Sequence, residues 1–355
     1  MKQNLFIFSD VQIVRKQNTL FFNKVVQDED DEEELNFLKE DYLFEKEIII
    51  PTGDKKYMPV ENIDSITVLG TSHFNSRLIY FLSQNSIPLY IMSRKGNLLG
   101  IFLPINGKSG TSLVAQASVY DDEEKRVFIS SKIVDATAHN TLQNLNYYKN
   151  RGRNLAETIQ IIEELRGEIP YAETVEELFG IEGYIKRNYY ESWREIFNYP
   201  VNFFTRKKNP PTDFINSMIS FGNAILYTVV VNQIIQVKLY PEIGFMHTLG
   251  ENKLSLAYDI ADIFKPLIVD RTIFKIVNKN ILSEKDFFFK NGICMMKKET
   301  KKIFVSELEK KILTKMKIKN FNKRVTYKRV VRESLYSLKN FLIEGEEIEF
   351  FKSEW

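Results

Sequence analysis

The hydrophobic pattern of residues 1–112 is typical of short β-strands. Runs rich in β-branched and aromatic residues alternate with turns that contain Gly, Asn, Asp or Ser. Residues 74–85 instead have the period of a short helix. We therefore expect a β-rich first domain. The predicted strands are Leu5–Phe8, Val11–Val14, Leu20–Val25, Glu47–Ile50, Ile63–Leu69, Pro88–Ser93 and Leu98–Leu103.

The pattern becomes helical after residue 112. Gly107–Ser112, rich in glycine and serine, separates the two patterns and is the best candidate for a linker. We expect an α+β protein with two domains, a β-rich domain over residues 1–112 and a larger all-α domain over residues 113–355. The predicted helices are Lys125–Lys149, Leu155–Leu165, Val175–Phe179, Tyr184–Phe197, Asp213–Leu239, Leu254–Phe264, Thr272–Lys279, Val305–Ile318 and Lys328–Glu344.

The helix predicted over Asp213–Leu239 is apolar on nearly every side, which is typical of a helix in the middle of a domain. Four polar residues nevertheless share one face of it, namely Asn216, Ser220, Asn223 and Tyr227. Polar groups on a buried helix need hydrogen-bond partners or a wet cavity. We therefore expect a polar site beside this helix.

Composition and charge narrow the class of protein. The chain has 355 residues, one cysteine and a formal net charge of +2, which excludes a disulfide framework and a thiolate zinc site. No unbroken apolar run reaches the length of a membrane span, and the first residues lack a signal-peptide core. We expect a soluble cytoplasmic protein that does not contact a membrane.

The charges are unevenly distributed along the chain. Residues 28–34 are all acidic, whereas residues 297–332 contain fourteen Lys and Arg against three Glu. The basic segment also carries Phe321 and Tyr327, a mixture that favours an anionic partner such as nucleic acid. Solvated surface is the simpler explanation of the acidic run, and for the basic segment both interpretations stay open.

Two single residues could carry chemistry. Glu182 lies within Gly180–Gly183, between two glycines at a predicted helix start, where the helix dipole and close backbone approach favour a carboxylate. His247 follows the long apolar helix after a short turn. Taken alone, Glu182 is more typical of a structural acid in the first turn of a helix. His247 alone is more typical of a core histidine whose hydrogen bonds are satisfied.

A pair of carboxylates follows on the next helix. Asp259 and Asp262 lie one turn apart on one face of Leu254–Phe264. On their own they are explained as a helix-face pair in which one carboxylate anchors Lys265 or Arg271. Together with the glutamate and the histidine, they form a ligand set that suits Mg²⁺ or Mn²⁺. Such an ion polarises a phosphodiester oxygen and activates an attacking hydroxyl.

In order and spacing, these motifs resemble the CRISPR-associated protein one family, the integrase and nuclease of CRISPR spacer acquisition. The resemblance covers nearly the whole chain. Two positions depart from the family pattern, because Lys265 stands where Arg is frequent and Asp262 where Glu is frequent; both changes keep the charge. The matching segments are Gly180–Gly183, Arg206, Asn209–Asn216, Ser220–Gly222, Gly244–His247, Leu256–Pro266 and Asp270.

The resemblance implies a sandwich-like β domain and a helical catalytic domain. It implies that Glu182, His247 and Asp262 hold the divalent ion and are the catalytic residues. Asp259 matches the family's second acid, near the site. Matching positions that line or support the site are Tyr258, Asn216 and Ser220.

The resemblance also implies the activity and the partners. The family joins the 3′-hydroxyl ends of a short double-stranded prespacer to the CRISPR repeat by transesterification. It forms homodimers, for which we expect the N-terminal domain to supply the dimer surface, and two homodimers flank a dimer of CRISPR-associated protein two. Basic residues near the acids would contact DNA phosphates. The candidates are Lys186, Arg187, Arg206, Lys207 and Lys208.

Two alternatives use the same residues differently. A structure-selective nuclease would cut branched DNA at the same metal site, without the partner protein or the repeat sequence. A non-catalytic DNA-binding scaffold would use the three side chains as polar groups of the core, so chelation of divalent ions would leave its role unchanged. The products and their metal dependence distinguish the three hypotheses.

Overall fold

The computed structural model describes residues 2–8, 10–25, 51–70, 72–93, 96–104, 109–207, 210–251, 253–317 and 324–354. The chain divides into two compact units, Met1–Gly107 and Lys108–Trp355. The division falls within the predicted linker, five residues before the predicted boundary. The acidic run 28–34 and the predicted strand Glu47–Ile50 lie outside the described residues.

The first unit contains two four-stranded sheets. Its described elements are β1 (Gln3–Ile7), β2 (Val11–Lys16), β3 (Thr19–Val25), β4 (Pro51–Pro59), β5 (Ile63–Val68), β6 (Ser72–His73), α1 (Ser76–Gln84), β7 (Leu89–Met92) and β8 (Leu98–Phe102). One sheet has the strand order β1-β5-β7-β8 and the other has the order β4-β3-β2-β6. The predicted β-rich N-terminal region is therefore confirmed.

One apolar core joins the two sheets and α1. Strand β5 is buried along its whole length, because β1 and β7 both pair with it in parallel and a strand in this position is covered on both faces. Val11 and Ile13 of β2 point inward from the other sheet. Leu78 and Leu82, one turn apart on α1, close the core. Asn75 caps this helix by accepting a hydrogen bond from the backbone N–H of Leu78.

The second unit is predominantly helical, as predicted, although two small antiparallel hairpins interrupt the helices. Its helices are α2 (Gly110–Asp121), α3 (Glu123–Lys149), α4 (Ala156–Glu168), α5 (Val175–Glu191), α6 (Trp193–Ile196), α7 (Phe214–Gln236), α8 (Ser255–Lys265), α9 (Arg271–Asn278), α10 (Lys298–Ile312) and α11 (Tyr327–Glu344). A π-helical turn, Pro266–Asp270, joins α8 to α9. The hairpin strands are β9 (Phe287–Lys290), β10 (Ile293–Met296), β11 (Lys315–Met316) and β12 (Val325–Thr326).

Helix α7 lies in the middle of the second unit. Among the described residues, it alone is long and apolar enough to cross a membrane, but 78% of its most apolar window is buried inside the protein. It packs against α8, α10, α11 and the π-helical turn. Its composition is therefore that of a core helix. Asp213 caps its start by accepting a hydrogen bond from the backbone N–H of Asn216 at 2.8 Å.

Four local predictions differ from the structure. The helix predicted over Val305–Ile318 begins at Lys298 and ends at Ile312, and Lys315–Met316 form the strand β11. Gly180–Gly183 does not start a helix, because α5 runs through it without interruption. Residues 110–121, of which the first were assigned to the linker, form α2. The segment 287–296 had no predicted strand and forms the β9–β10 hairpin, which turns at Asn291 and Gly292 with positive φ angles of 50° and 77°. At Gly180–Gly183 and at the start of α2 a turn signal competes with tertiary packing, whereas the hairpin forms at an Asn-Gly pair that is itself a turn signal.

Candidate active site

Glu182 lies on the buried face of α5. Thr174 caps the start of this helix with its side chain. Leu178, Ile185 and Tyr189 are buried one or two turns away along the helix, and Glu182 shares their face. Only 4% of Glu182 is exposed. Burial raises the pKa of this carboxyl above its ordinary value.

The backbone before α8 folds around the carboxylate of Asp259. The N–H groups of Phe245 and Met246 donate to Oδ2 at 2.6 and 3.1 Å, and the N–H of His247 donates to Oδ1 at 2.9 Å. Asp259 itself is fully buried. The loop that carries the histidine is thus anchored to the first turns of α8 by three hydrogen bonds to one charged group.

The same carboxylate orients the imidazole of His247. Its Nδ1 lies 2.7 Å from Asp259 Oδ1. Because an ionised carboxylate can only accept, Nδ1 carries the proton, and a neutral imidazole then has a proton-free Nε2. Nε2 lies 3.9 Å from Asp262 Oδ2. The rings of Phe179 and Tyr258 pack edge-on against the imidazole, with centroid distances of 5.5 and 5.8 Å.

Two lysines surround the carboxylate of Asp262. Lys186 Nζ lies 2.9 Å from Oδ2 and also contacts Glu182 Oε1, whereas Lys265 Nζ contacts Oδ1. Burial by itself would raise the pKa of Asp262, but the two ammonium groups hold this pKa well below its usual range. Asp262 is therefore ionised. Asp262 therefore also anchors Lys265, as the simpler explanation of the aspartate pair predicted, and it does so within the cluster of acids.

The polar face of α7 holds basic groups beside these acids. Asn216 Oδ1 and Ser220 Oγ accept hydrogen bonds from the guanidinium of Arg206, each at 2.9 Å. Further along the same face, the ring centroid of Tyr227 lies 4.9 Å from the ammonium of Lys265. The polar residues predicted on this face, of which Asn216 is buried, thus contact two cations. Their support roles in catalysis stay a prediction.

Two residues next to the cluster had no role in the sequence analysis. Asp270, at the end of the π-helical turn, is buried and hydrogen-bonded to Tyr189; burial raises its pKa to about 8. Phe179 packs edge-on against the histidine ring. The sequence signal that could have identified Phe179 is its position one helical turn before Glu182. The prediction ended one helix at Phe179 and therefore did not relate the two residues.

Comparison with known proteins decides the family. A family model described as CRISPR associated protein Cas1 matches residues 12–310. The chain belongs to the Cas1 family. It is 33% identical to the CRISPR-associated endonuclease Cas1 of Fusobacterium nucleatum, covering 100% of this chain and 98% of that protein. It is 35% identical to the CRISPR-associated endonuclease Cas1 2 of Thermodesulfovibrio yellowstonii, covering 100% of both.

A solved Cas1 structure has the same fold. The Cas1 protein of Thermotoga maritima is 29% identical, with a TM-score of 0.79, and the match covers 99% of this chain and 100% of that chain. The predicted architecture, a β-rich region followed by a helical region, is therefore that of a Cas1 protein.

The donors at this Cas1-family site suit a divalent ion. Glu182 and Asp262 supply carboxylate oxygens, and His247 presents Nε2 to them while its Nδ1 is hydrogen-bonded to a buried carboxylate, as in metal-binding imidazoles. Within the described residues, no three His, Cys, Asp or Glu side chains lie close enough together to bind one metal ion without moving. The ammonium of Lys186, which contacts both carboxylates, takes the position of a cation between them.

The five predicted DNA contacts have different surroundings. Lys186 faces the buried acids, and Arg206 is held against α7. Arg187 and Lys207 are both exposed, and Arg187 forms an exposed ion pair with Glu191. Lys208 lies outside the described residues. As placed here, only two of the four described candidates are available to a phosphate without a rearrangement.

Proposed function

We propose that this Cas1-family protein is a metal-dependent DNA integrase. It joins the 3′-hydroxyl ends of a short prespacer duplex to the CRISPR repeat. The observation that carries the proposal is the convergence of Glu182, Asp262 and the Nε2 edge of His247 in one site, in which both carboxylates are buried. Membership of the Cas1 family supports DNA as the substrate.

Glu182, His247 and Asp262 would hold Mg²⁺ or Mn²⁺, since both ions accept carboxylate and imidazole ligands. When bound, such an ion polarises a phosphodiester oxygen and favours loss of the proton from an attacking hydroxyl. Asp259 keeps the imidazole in the tautomer and orientation that present Nε2 to the site. The protein's own contribution is therefore a preorganised, buried set of donors.

The proposed reaction exchanges one phosphodiester bond for another. The 3′-oxygen of the prespacer forms a bond to a repeat phosphorus, and the bond from that phosphorus to the repeat 3′-oxygen breaks. The proton that leaves the attacking hydroxyl is balanced by the proton that the departing 3′-oxygen gains, so no energy donor is required. Lys265, which contacts Asp262, and Arg206, held against the polar face of α7, would supply positive charge to the reacting phosphate.

The proposed assembly follows from family membership. Two homodimers would flank a dimer of CRISPR-associated protein two, with the first unit supplying the dimer surface. The exposed Arg187 and Lys207 would contact phosphates of the bound duplex. This arrangement would place two sites at the two ends of one prespacer.

The second candidate is a structure-selective nuclease. The relatives from F. nucleatum and T. yellowstonii are named endonucleases, and the same site would cleave DNA if water replaced the 3′-hydroxyl. The two candidates differ in their products and requirements. A nuclease cuts branched DNA without the partner or the repeat, whereas an integrase makes a new joint at the repeat borders.

A strand-transfer assay tests the proposal. A fluorescent prespacer duplex is incubated with a supercoiled, repeat-bearing plasmid and the partner protein, in Mn²⁺ or in EDTA. We expect labelled plasmid joined at the repeat borders with Mn²⁺ and none with EDTA. Glu182→Gln and His247→Ala should reduce joining to background, because each removes a ligand.

Glu176→Gln is the matched control. Glu176 lies on the same helix as Glu182 but is exposed in its first turn, so this variant should join DNA at the wild-type rate. Cleavage of branched DNA without joining, with the partner present, would replace the integrase by the nuclease. Absence of any metal-dependent reaction would leave the DNA-binding scaffold.

A further inference from the structure

Lys186 lies one helical turn after Glu182 on α5 and reaches into the cluster of acids. Its Nζ lies 2.9 Å from Asp262 Oδ2 and contacts Glu182 Oε1. The same ammonium thus bridges two carboxylates that come from different helices. Both carboxylates belong to the set that would hold the divalent ion.

The bridge stabilises the acids when no divalent ion is bound. Asp262 and Glu182 are both buried, and two adjacent carboxylates repel each other strongly in a site with little water. An ammonium between them offsets that repulsion. Lys186 contacts Glu182 Oε1 as well as Asp262 Oδ2, so its single positive charge is shared between two carboxylates. A divalent ion in the same position would supply twice that charge.

Lys265 differs from Lys186 in two ways. It contacts Asp262 on the other oxygen, Oδ1, and does not bridge to Glu182. The ring of Tyr227 covers its ammonium, and only 12% of its side chain is exposed, against 30% for Lys186. Lys265 is therefore a fixed partner of one carboxylate, whereas Lys186 has access to solvent.

We propose that Lys186 is an internal counter-ion that must leave the acids before a divalent ion binds, and that a DNA phosphate then receives its ammonium. Metal binding and DNA binding are coupled through this one side chain. The inference rests on the cation site proposed above. It follows that each ligand increases the affinity for the other by the same factor, because coupling between two binding equilibria is reciprocal.

The test is direct measurement of Mn²⁺ binding by titration calorimetry, with and without a DNA duplex. The duplex ends in 3′-deoxynucleotides, so that it cannot be joined. Without DNA, Lys186→Met should bind Mn²⁺ about tenfold more tightly than wild type, since no ammonium competes. DNA should tighten Mn²⁺ binding to wild type by about fivefold or more, and to Lys186→Met by clearly less, because typical coupling factors are about 5 to 150.

Lys265→Met is the matched control, because it removes the same charge from the same carboxylate but not the bridge. Equal gains in Mn²⁺ affinity for both variants would show a general charge effect and overturn the proposal. Unchanged or weaker Mn²⁺ binding by Lys186→Met would also overturn it. If wild type and both variants bind no Mn²⁺, with or without DNA, the proposed cation site itself is wrong.

Two further measurements distinguish an effect on binding from misfolding of a variant. Lys186→Gln removes the charge while keeping a polar side chain, and circular dichroism establishes whether each variant folds. In wild type alone, Mn²⁺ should tighten DNA binding by the factor by which DNA tightens Mn²⁺ binding. DNA affinity that does not respond to Mn²⁺ would contradict the coupling without any variant.

Discussion

Asp259 and Asp262 lie one turn apart on α8 and have opposite surroundings. Asp259 accepts hydrogen bonds from three backbone N–H groups and from the imidazole of His247. Asp262 faces two ammonium groups and the free edge of the same imidazole. The spacing predicted both residues at the site. It could not assign their roles, because these depend on which groups the loop and α5 bring to each oxygen.

Replacing Asp259 should weaken Mn²⁺ binding, although Asp259 is not one of the three proposed metal ligands. In Asp259→Asn one carboxylate oxygen becomes an NH₂ group, which meets N–H donors instead of accepting from them. We expect Mn²⁺ affinity to fall about 10- to 100-fold, as for other partners of metal-binding histidines. Titration calorimetry measures the affinity, and thermal unfolding should show a lower Tm. Wild-type Mn²⁺ affinity in this variant would contradict the positioning role.

Gly244 should tolerate no side chain. A Cβ at this position would lie 2.5 Å from the backbone carbon of Ser255 and 2.7 Å from Asp259 Oδ2. Gly244→Ala is therefore expected to cost about 1–3 kcal/mol in the free energy of unfolding, the usual penalty of overpacking. Urea unfolding measures this cost.

Gly183→Ala is the control for this prediction. Its Cβ would meet no atom of the described chain within 4 Å, and the residue lies inside α5. An alanine there should leave stability unchanged or raise it by about 0.5–1 kcal/mol. Equal stability of the two alanine variants would show that the close approach at Gly244 does not constrain the fold.

At the scale of elements, α5 shows where sequence analysis was limited. Two glycines within four residues are a typical helix boundary, and the prediction divided the segment there. In the structure, the buried face that includes Leu178 and Ile185 packs against α3 and α4 and keeps the helix continuous. The divided prediction concealed the i,i+4 relation between Glu182 and Lys186, and with it the contact between their side chains.

A buried asparagine in α3 ties the C-terminal segment to α8. Asn140 Nδ2 donates to the carbonyls of Ile263 and Phe351, each at 3.0 Å, and its Oδ1 accepts from the N–H of Ser353 at 2.9 Å. Asn140→Ala leaves these groups without partners, at roughly 1–3 kcal/mol for each buried group. We expect a clearly lower Tm and faster proteolysis of the C-terminal segment. Asn188→Ala, on an exposed face, should change neither quantity.

Lys311 of α10 should make stability depend on pH. Burial, together with Arg271 and Lys275 nearby, lowers the pKa of its ammonium to about 7. The unfolded chain keeps a pKa of about 10.4, so between these values the unfolded state binds more protons and stability rises with pH. Below about pH 7 both states are protonated, and the cost of the buried charge is fully present.

Lys311→Met removes this cost. The variant should be more stable than wild type at about pH 6, and the difference should shrink by about pH 9. Urea unfolding at both values measures the difference. Lys310→Met, which removes a largely exposed ammonium paired with Glu307, should show no such trend. A pH-independent gap between Lys311→Met and wild type would contradict the lowered pKa.

At the scale of the whole molecule, the charge of the basic segment is partly neutralised. Lys302, Lys310 and Arg329 pair with glutamates of their own helices, and Arg332 donates to a buried glutamine. Counting Lys and Arg in residues 297–332 therefore overstates the charge available to DNA. Whether this segment contacts DNA stays a prediction.

The class of fold followed from local patterns, and the residues of the candidate site followed from the family resemblance. Alternating and helical periodicities predicted the β-rich and helical regions, and the order of the matching motifs assigned Glu182, His247 and Asp262 to one site. The β9–β10 hairpin turns at Asn291 and Gly292, so a local signal for it was present in the sequence and was missed. Sheet pairing in the first unit and the contact between Lys186 and Asp262 could not be predicted, because each depends on residues far apart in the chain.

The most direct test of the account is a crystal of the protein soaked in Mn²⁺, with an anomalous difference map. We predict a peak coordinated by Glu182, Asp262 and Nε2 of His247, with the ammonium of Lys186 displaced from the acids. A peak bound elsewhere in the molecule, or no peak from a preparation that joins DNA in Mn²⁺, would contradict the assignment of these three residues as the metal site.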